Sequence, residues 1–450
     1  MDAPPIEQVL EDKAEQPNIV LIFIDDMGYG DLGCYGSTKN RTPRLDRMAE
    51  EGMRFTDFYV AASVCSPSRA ALMTGSYPKR VGLEAGTKFV VLMPEDPMGL
   101  NPDEITLPEI LQTQGYETML VGKWHLGDQP PFMPTNHGFD SYFGLPYSND
   151  HYSGRVYAKH LPKRFENGFN PLPLMRNNEI LEKDPDQSTL TARYTEEAVQ
   201  FIRKNKDQPF FLYLSHMYVH TPLFPAKEFM VKSKNGAYGA EVEQIDHSTG
   251  VVLDTLKELG LDENTLVIFT SDNGSRGGGG SNKPLKGRKG QTWEGGMREP
   301  CLMRWPGTIP SGSTCSELAT AMDFLPTFAK LAGGSAPDDR IIDGHDIRDL
   351  MTGVPEAATS YEAFFYYRQN ILEAVRSGKW KLHLKLKQLY DLEADIGEKR
   401  NLYTANPDVV GKLKQLADEI REDIGDKNTR GKNVRPAGTV ANPVPLTTLH

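Results

Sequence analysis

The sequence predicts an α/β fold, and three observations carry that prediction. Asn18–Ile24, Pro209–Ser215 and Thr265–Thr270 are strand-length runs dominated by Ile, Val, Leu, Phe and Tyr, the pattern of strands buried on both faces of a parallel sheet. Amphipathic stretches separate them. The longest is Tyr238–Gly260, where Val242, Ile245, Val252, Leu253, Leu256 and Leu259 share one broad apolar face. Near residue 360 the pattern changes to alternation, which reads as a small antiparallel sheet.

At 450 residues the chain exceeds one ordinary domain, so a large domain with a smaller companion is expected. Apolar content of 38% with 41 glycines suits a loop-rich globular enzyme. No run reaches the ~18 apolar residues of a membrane span. A net charge of −11 and a pI near 5.5 argue against nucleic acid or a membrane surface as the main partner. An anionic substrate therefore needs a local basic site. The four cysteines, Cys34, Cys65, Cys301 and Cys315, form no Cys-x-x-Cys pair, which excludes a structural zinc motif. Cys301 and Cys315 are either a disulfide or free buried thiols. Met1–Pro5 lacks the basic and apolar regions of a signal peptide and reads as a mature N-terminus with an added Met.

In chain order, residues 1–16 are polar and frayed. The first strand ends in Asp25-Asp26-Met27-Gly28-Tyr29-Gly30-Asp31. Adjacent carboxylates at the end of a buried strand are costly without a compensating cation. That end of an α/β sheet is also where sites form. Thr42-Pro43-Arg44 starts a helix ending at Gly52. In Val64-Cys65-Ser66-Pro67-Ser68-Arg69, Ser66 is read as a cap and Pro67 as the first helical residue. Cys65 then sits where backbone N–H groups converge, with Arg69 about one turn away on the same face. A lone cysteine is more often a small buried apolar residue, so the surrounding pattern has to decide. Residues 76–104 read as loop, Thr106–Gln114 as a helix closed by Gly115, and Glu117–Val121 as a strand delivering Gly122-Lys123-Trp124-His125-Leu126-Gly127. Lys123 and His125 are two apart, so an extended segment points both the same way.

Phe143–Asp150 follows, and then residues 152–188, without periodicity, which read as an insertion over the active-site face that shapes substrate choice. Thr195–Lys204 is helical. The strand Pro209–Ser215 runs into His216-Met217-Tyr218-Val219-His220-Thr221-Pro222. Strand Thr265–Thr270 presents Ser271-Asp272-Asn273-Gly274, an echo of Asp25-Asp26. Hard oxygen ligands from two such strand ends make a Ca²⁺ cage, with Mg²⁺ the alternative. Arg276–Gly280 is a flexible loop, and Lys283–Gly290 supplies a local positive field in an acidic chain. Cys301–Trp305 is a strand and Phe324–Leu331 a helix. Residues 363–367, 373–376 and 379–389 are the alternating strands, Val409–Ile424 is a closing helix, and 426–450 form a polar tail, disordered or packed.

These motifs resemble one family. Cys65-x-Pro67-Ser68-Arg69 followed by Thr74-Gly75 resembles the signature of the type I, formylglycine-dependent sulfatases, arylsulfatase-like members included. Asp25-Asp26, the Lys123–His125 segment, His220-Thr221-Pro222 and Lys289–Gly296 with Arg298-Glu299-Pro300 resemble its other motifs, over residues 17 to 425. The resemblance implies an alkaline-phosphatase-like fold: a large mixed sheet sandwiched by helices, with a smaller antiparallel sheet-plus-helix domain ending in the strand Leu389–Leu392. Its implied organisation is 17–355 catalytic, 356–425 the small domain and 426–450 the tail.

The resemblance also implies roles. Cys65 is converted by a formylglycine-generating or sulfatase-maturating enzyme into an aldehyde whose hydrate attacks sulfur. Arg69 orients that nucleophile. Asp25, Asp26, Asp272 and Asn273, together with residue 65, bind Ca²⁺. Lys123, Ser148, His220 and Lys289 hold the sulfate. His125 is a base, Asp272 orients or deprotonates the attacking hydroxyl, and His220 or Lys289 protonates the leaving oxygen. His216 stands behind the site. The implied enzyme is a periplasmic or secreted hydrolase of sulfate monoesters, with sulfated carbohydrate as substrate and aryl sulfates as test substrates. The alternatives are a phosphate or phosphonate monoester hydrolase of the same superfamily and a non-catalytic, calcium-dependent glycan-binding protein.

Overall fold

A row of parallel strands fixes where the site lies. The computed structural model describes residues 16–155 and 161–446. The expectations for residues 1–15, for 156–160 of the insertion and for 447–450 of the tail lie outside those. The main sheet has eleven strands. They are β1 (Asn18–Ile24), β2 (Met53–Tyr59), β3 (Glu117–Lys123), β4 (Ser141–Leu145), β5 (Pro173–Arg176), β6 (Glu179–Lys183), β7 (Phe210–His216), β8 (Thr265–Ser271), β9 (Arg298–Arg304), β10 (Ser313–Cys315) and β11 (Ala319–Thr320). Across the sheet they run β10-β2-β9-β8-β1-β7-β3-β4-β5-β6, and β11 also pairs with β2. The five central strands, from β8 to β4, are parallel. β9 is antiparallel to both β8 and β2, so β2 runs the same way as the central strands. Their C-terminal ends therefore share one edge, and the loop entering β9 reaches that edge too.

Every residue of β1, β7 and β8 is buried, because helices cover both faces of the sheet. The longer helices are α1 (Pro43–Glu51), α2 (Cys65–Thr74), α3 (Leu107–Thr113), α4 (Leu190–Lys204), α5 (Gly236–Glu258), α6 (Phe324–Leu331) and α7 (Pro407–Ile424). α1, α4 and α5 pack as one group, α2, α3 and α6 as another. α3 starts on a capping box in which Thr106 and Glu109 satisfy each other's backbone N–H groups.

The second sheet is antiparallel, in the order β12 (Phe364–Arg368), β13 (Ile371–Ser377), β14 (Trp380–His383), β15 (Gln388–Asp391), with α7 packed on β13. A buried ion cluster joins it to the main sheet. Lys381 Nζ lies 2.8 Å from Glu294 and 3.0 Å from Glu398, and none of the three side chains is exposed. Residues beyond 425 fold back, with Gly438–Thr439 paired against Met98–Gly99. Arg435 Nε donates to Glu104 at 2.7 Å. Among the described residues no helix is long and apolar enough to cross a membrane.

Three local expectations change. α2 begins two residues early, at Cys65 with Val64 before it, and Ser66 does not cap it; the Ser66 hydroxyl instead accepts the Leu92 N–H at 3.1 Å. Part of the supposed irregular insertion is the β5–β6 hairpin at the sheet edge. Its turn holds Asn177 at φ 52°, and β6 is largely exposed, so it carries no apolar alternation to read. Cys301 and Cys315 are free thiols. Both are in register with Phe55 of β2, on its two opposite neighbours. That places them about two strand spacings apart, beyond disulfide reach.

Candidate active site

Ile24 of β1 is in register with Ser271 of β8 and His216 of β7. The next residues of β1 and β8, Asp25 and Asp272, therefore emerge side by side. Carboxylate oxygens of Asp25, Asp26 and Asp272 all lie within 4.8 Å of one another. Asp26 adopts φ 65°, a conformation that turns the chain back over the strand ends. Its backbone N–H donates to Asp272 Oδ1 at 3.1 Å. Asn273 Nδ2 donates to Asp26 at 2.7 Å, while Asn273 Oδ1 is buried and unpartnered among the described residues. Three carboxylates and an orphaned amide oxygen are the donor set of a hard divalent cation, so the residues fit Ca²⁺.

The positive charges come from elsewhere. Lys123, at the end of β3, is fully buried and donates to Asp25 Oδ2. Lys289, on the loop entering β9, lies 2.5 Å from Asp26 Oδ1. Arg69 reaches under the site from α2. It donates to Asp272 Oδ2 at 3.0 Å, to Ser215 at 2.5 Å and to the Lys123 carbonyl at 3.2 Å. Arg69 thus contacts the carboxylates rather than Cys65, so it acts on residue 65 through them. Burial works to raise the Asp25 pKa, but Lys123, His220, Lys289 and Arg69 together hold it well below the usual range. Asp272, pressed by burial and by Asp25, shifts upward.

Cys65 sits at the first turn of α2, 2% exposed, on the floor of a cleft of about 900 Å³ that includes an open mouth. Its Sγ lies 3.3 Å from Lys289 Nζ and 3.5 Å from Asp25 Oδ1. Burial and Asp25 push its thiol up to about 12. An unconverted Cys65 is therefore a neutral thiol and a weak nucleophile at neutral pH.

His125, Ser148 and His220 line the same cleft. The ring of His125 is held neutral by burial and by Lys123. His125 Nε2 bonds to the Leu92 carbonyl at 2.9 Å, so that nitrogen carries the proton and buried Nδ1 is left bare. His220 is likewise shifted down, by burial and by Lys289. Its Nδ1 lies 3.2 Å from Asn149 Oδ1, and its Nε2 4.0 Å from Asp26. Asn149 Nδ2 is occupied by Gln187 and the Pro222 carbonyl, which fixes Oδ1 toward His220. Lys123 Nζ is 3.5 Å from Ser148. His216 is buried against Ser248 of α5, away from the cleft lining.

The residues singled out in the sequence therefore converge at one strand edge, with Arg69 beneath. The sequence reading missed the cleft's other polar lining, Asp150, His151, Arg155 and Arg276. Asp150 directly follows Ser148-Asn149 past the end of β4, and that position was the available signal.

A family model described as Sulfatase matches residues 17–335, and one described as N-sulphoglucosamine sulphohydrolase, C-terminal, matches 288–425. The chain belongs to the sulfatase family. Human arylsulfatase A is 39% identical over 449 residues, covering 90% of this chain and 87% of its own. The dog N-acetylgalactosamine-6-sulfatase is 41% identical over 389 residues, covering 82% and 72%. The crystal structure of Ps i-CgsB in complex with k-i-k-neocarrahexaose superposes with a TM-score of 0.80 at 31% identity, covering 93% and 95%. The fold is the expected alkaline-phosphatase-like one, and the chain is a sulfatase, an enzyme that hydrolyses sulfate esters.

Proposed function

We propose that this sulfatase hydrolyses sulfate monoesters of carbohydrates through a formylglycine made from Cys65, with Ca²⁺ held by Asp25, Asp26, Asp272, Asn273 and residue 65. One observation carries the reading: residue 65 lies on the cleft floor between Lys289 Nζ and Asp25 Oδ1. Formylglycine supplies a hydrated aldehyde as nucleophile, and the cation supplies positive charge against the sulfate oxygens.

The chain's own residues do the rest. Lys123 and Lys289 place two ammonium groups where an anion must sit, and Ser148 adds a hydroxyl beside Lys123. Asp272, clamped by Arg69, orients the group at position 65. Bare Nδ1 of His125 accepts a proton. Lys289, whose pKa is raised by Asp26 and its neighbours against the opposing effect of burial, keeps its proton and can pass it to the leaving oxygen. His220 is the alternative donor once an arriving anion raises its proton affinity.

Carbohydrate as leaving group is supported by the cleft's polar rim, and by relatives whose names carry a sugar or an oligosaccharide. Residues 65–74 are all buried, so a maturating enzyme has to reach Cys65 before the chain folds. We place the enzyme in the periplasm or outside the cell, where free calcium suits such a site.

The test is sulfate release by protein co-expressed with a maturating enzyme. Sulfate esters, both 4-nitrophenyl and sugar, are hydrolysed and 4-nitrophenyl phosphate far more slowly. Faster turnover of the phosphate would refute the reading.

A further inference from the structure

One part of the cleft is built but unused by the chemistry at residue 65. Asp150 is fixed by Arg155, which donates to its Oδ2 at 2.7 Å and to its carbonyl at 2.9 Å, and which stacks over Phe169 at 5.3 Å. Its other oxygen, Oδ1, is buried and has no hydrogen-bond partner among the described residues. His151 is 3% exposed, wedged between Tyr147 and Phe169. Its Nδ1 is equally orphaned, and its Nε2 stands 3.6 Å from Asp150 Oδ1, too far to bond. Phe89, Val90 and Val91 line the same cleft as an apolar wall, with Phe89 half-buried and Val91 in one apolar cluster with Phe169.

A rigid carboxylate oxygen and a neutral imidazole, both buried and both unsatisfied, need a partner that donates and accepts at once. A hydroxyl does both: it donates to Oδ1 and accepts from the imidazole N–H. An apolar leaving group, sterol or plain aryl, would leave both atoms stranded without a partner. The apolar wall suits the C–H face of a sugar ring. Resting on the sulfatase reading above, we infer that Asp150 and His151 form the leaving-group subsite. They bind a ring hydroxyl of the sulfated sugar while Phe89–Val91 cover its face.

The test uses converted, full-length enzyme with 4-nitrophenyl sulfate and the monosulfates of galactose, glucose, N-acetylgalactosamine, N-acetylglucosamine and fucose. At least one sugar sulfate is expected to exceed 4-nitrophenyl sulfate in kcat/KM by at least about 100-fold, since a site that hydrogen-bonds a hydroxyl discriminates by this much or more. Deoxy analogues of that sugar sulfate, each lacking one hydroxyl, then identify the bound group, and one of them loses about 100-fold on the unaltered enzyme. Asp150→Asn lowers kcat/KM for the sugar sulfate at least about 30-fold further than for 4-nitrophenyl sulfate, and makes the enzyme indifferent to the deoxy position. Equal loss on both substrates, or no deoxy analogue losing activity, overturns the subsite. Turnover of 4-nitrophenyl sulfate with no sugar sulfate preferred overturns the subsite and leaves the sulfatase reading standing. An enzyme inert on every ester removes the reading itself, and the subsite with it.

Discussion

Nζ of Lys289 stands 3.3 Å from Sγ of Cys65, although the two residues are 224 positions apart. β2 and β9 make that contact possible. β2 ends, and β9 begins, at the same edge of the sheet, so the loops carrying Cys65 and Lys289 meet there. Gly290 N–H donates to the Ser63 carbonyl at 2.8 Å and ties the loops together.

If Lys289 stabilises the sulfate and protonates the leaving oxygen, Lys289→Ala lowers kcat by about 10²–10³-fold, the scale of losing one preorganised charge donor. The loss shrinks for leaving groups of low pKa, which need no proton. Steady-state kinetics across a series of aryl sulfates checks both statements.

The acidic cluster predicts metal linkage. Asp25, Asp26 and Asp272 are nearly or fully buried, and their repulsion is relieved when a divalent cation binds. Calcium at about 100 times its Kd stabilises the fold by roughly 2.7 kcal/mol. Melting in EDTA therefore falls below melting in Ca²⁺ by several degrees, and Asn273→Ala narrows that gap. Calorimetry with and without chelator measures it.

The Lys381 cluster holds the small sheet to the segment that follows Lys289, since Glu398 also accepts the Glu294 N–H at 2.9 Å. Lys381→Met removes the cation shared by buried Glu294 and Glu398 and leaves Glu294 with Arg298 and Glu398 with His383, which destabilises the protein by about 3 kcal/mol. Chemical denaturation resolves the change.

Glu241 on α5 is unexposed. One carboxylate oxygen accepts the Phe224 N–H, and the other has no partner among the described residues. Burial pushes its pKa up to about 8 from 4.5. The folded state therefore holds a proton that the unfolded chain releases. This contribution is complete below about pH 4.5 and is lost as pH rises toward 8. Glu241→Gln removes the loss, so the variant gains stability over wild type as pH rises from 5 to 8. Paired melting curves across that range check the sign.

Much of the site was legible because its chemistry breaks the local pattern. Asp25-Asp26 and Asp272-Asn273 close apolar runs that would otherwise need no charge, and a buried strand end with paired carboxylates has few uses. α2 starts two residues before the position the sequence predicts, because Ser66 is the stronger capping type. Only the distant Leu92 N–H shows where its hydroxyl goes. Asp150 closes a run read only for Ser148, and His151 carries no signal of its own in the sequence. Their neighbours Arg155, Phe169 and Tyr147 are brought together by tertiary packing, which no spacing records. The β5–β6 hairpin escaped notice for the opposite reason: an exposed edge strand obeys no burial pattern.

The most direct test of the account is the mass of the peptide carrying Cys65, taken from active enzyme made with a maturating enzyme present. Conversion to formylglycine predicts a peptide about 18 Da lighter than the cysteine form, in a fraction that tracks specific activity. An unmodified Cys65 peptide from fully active enzyme would contradict the account.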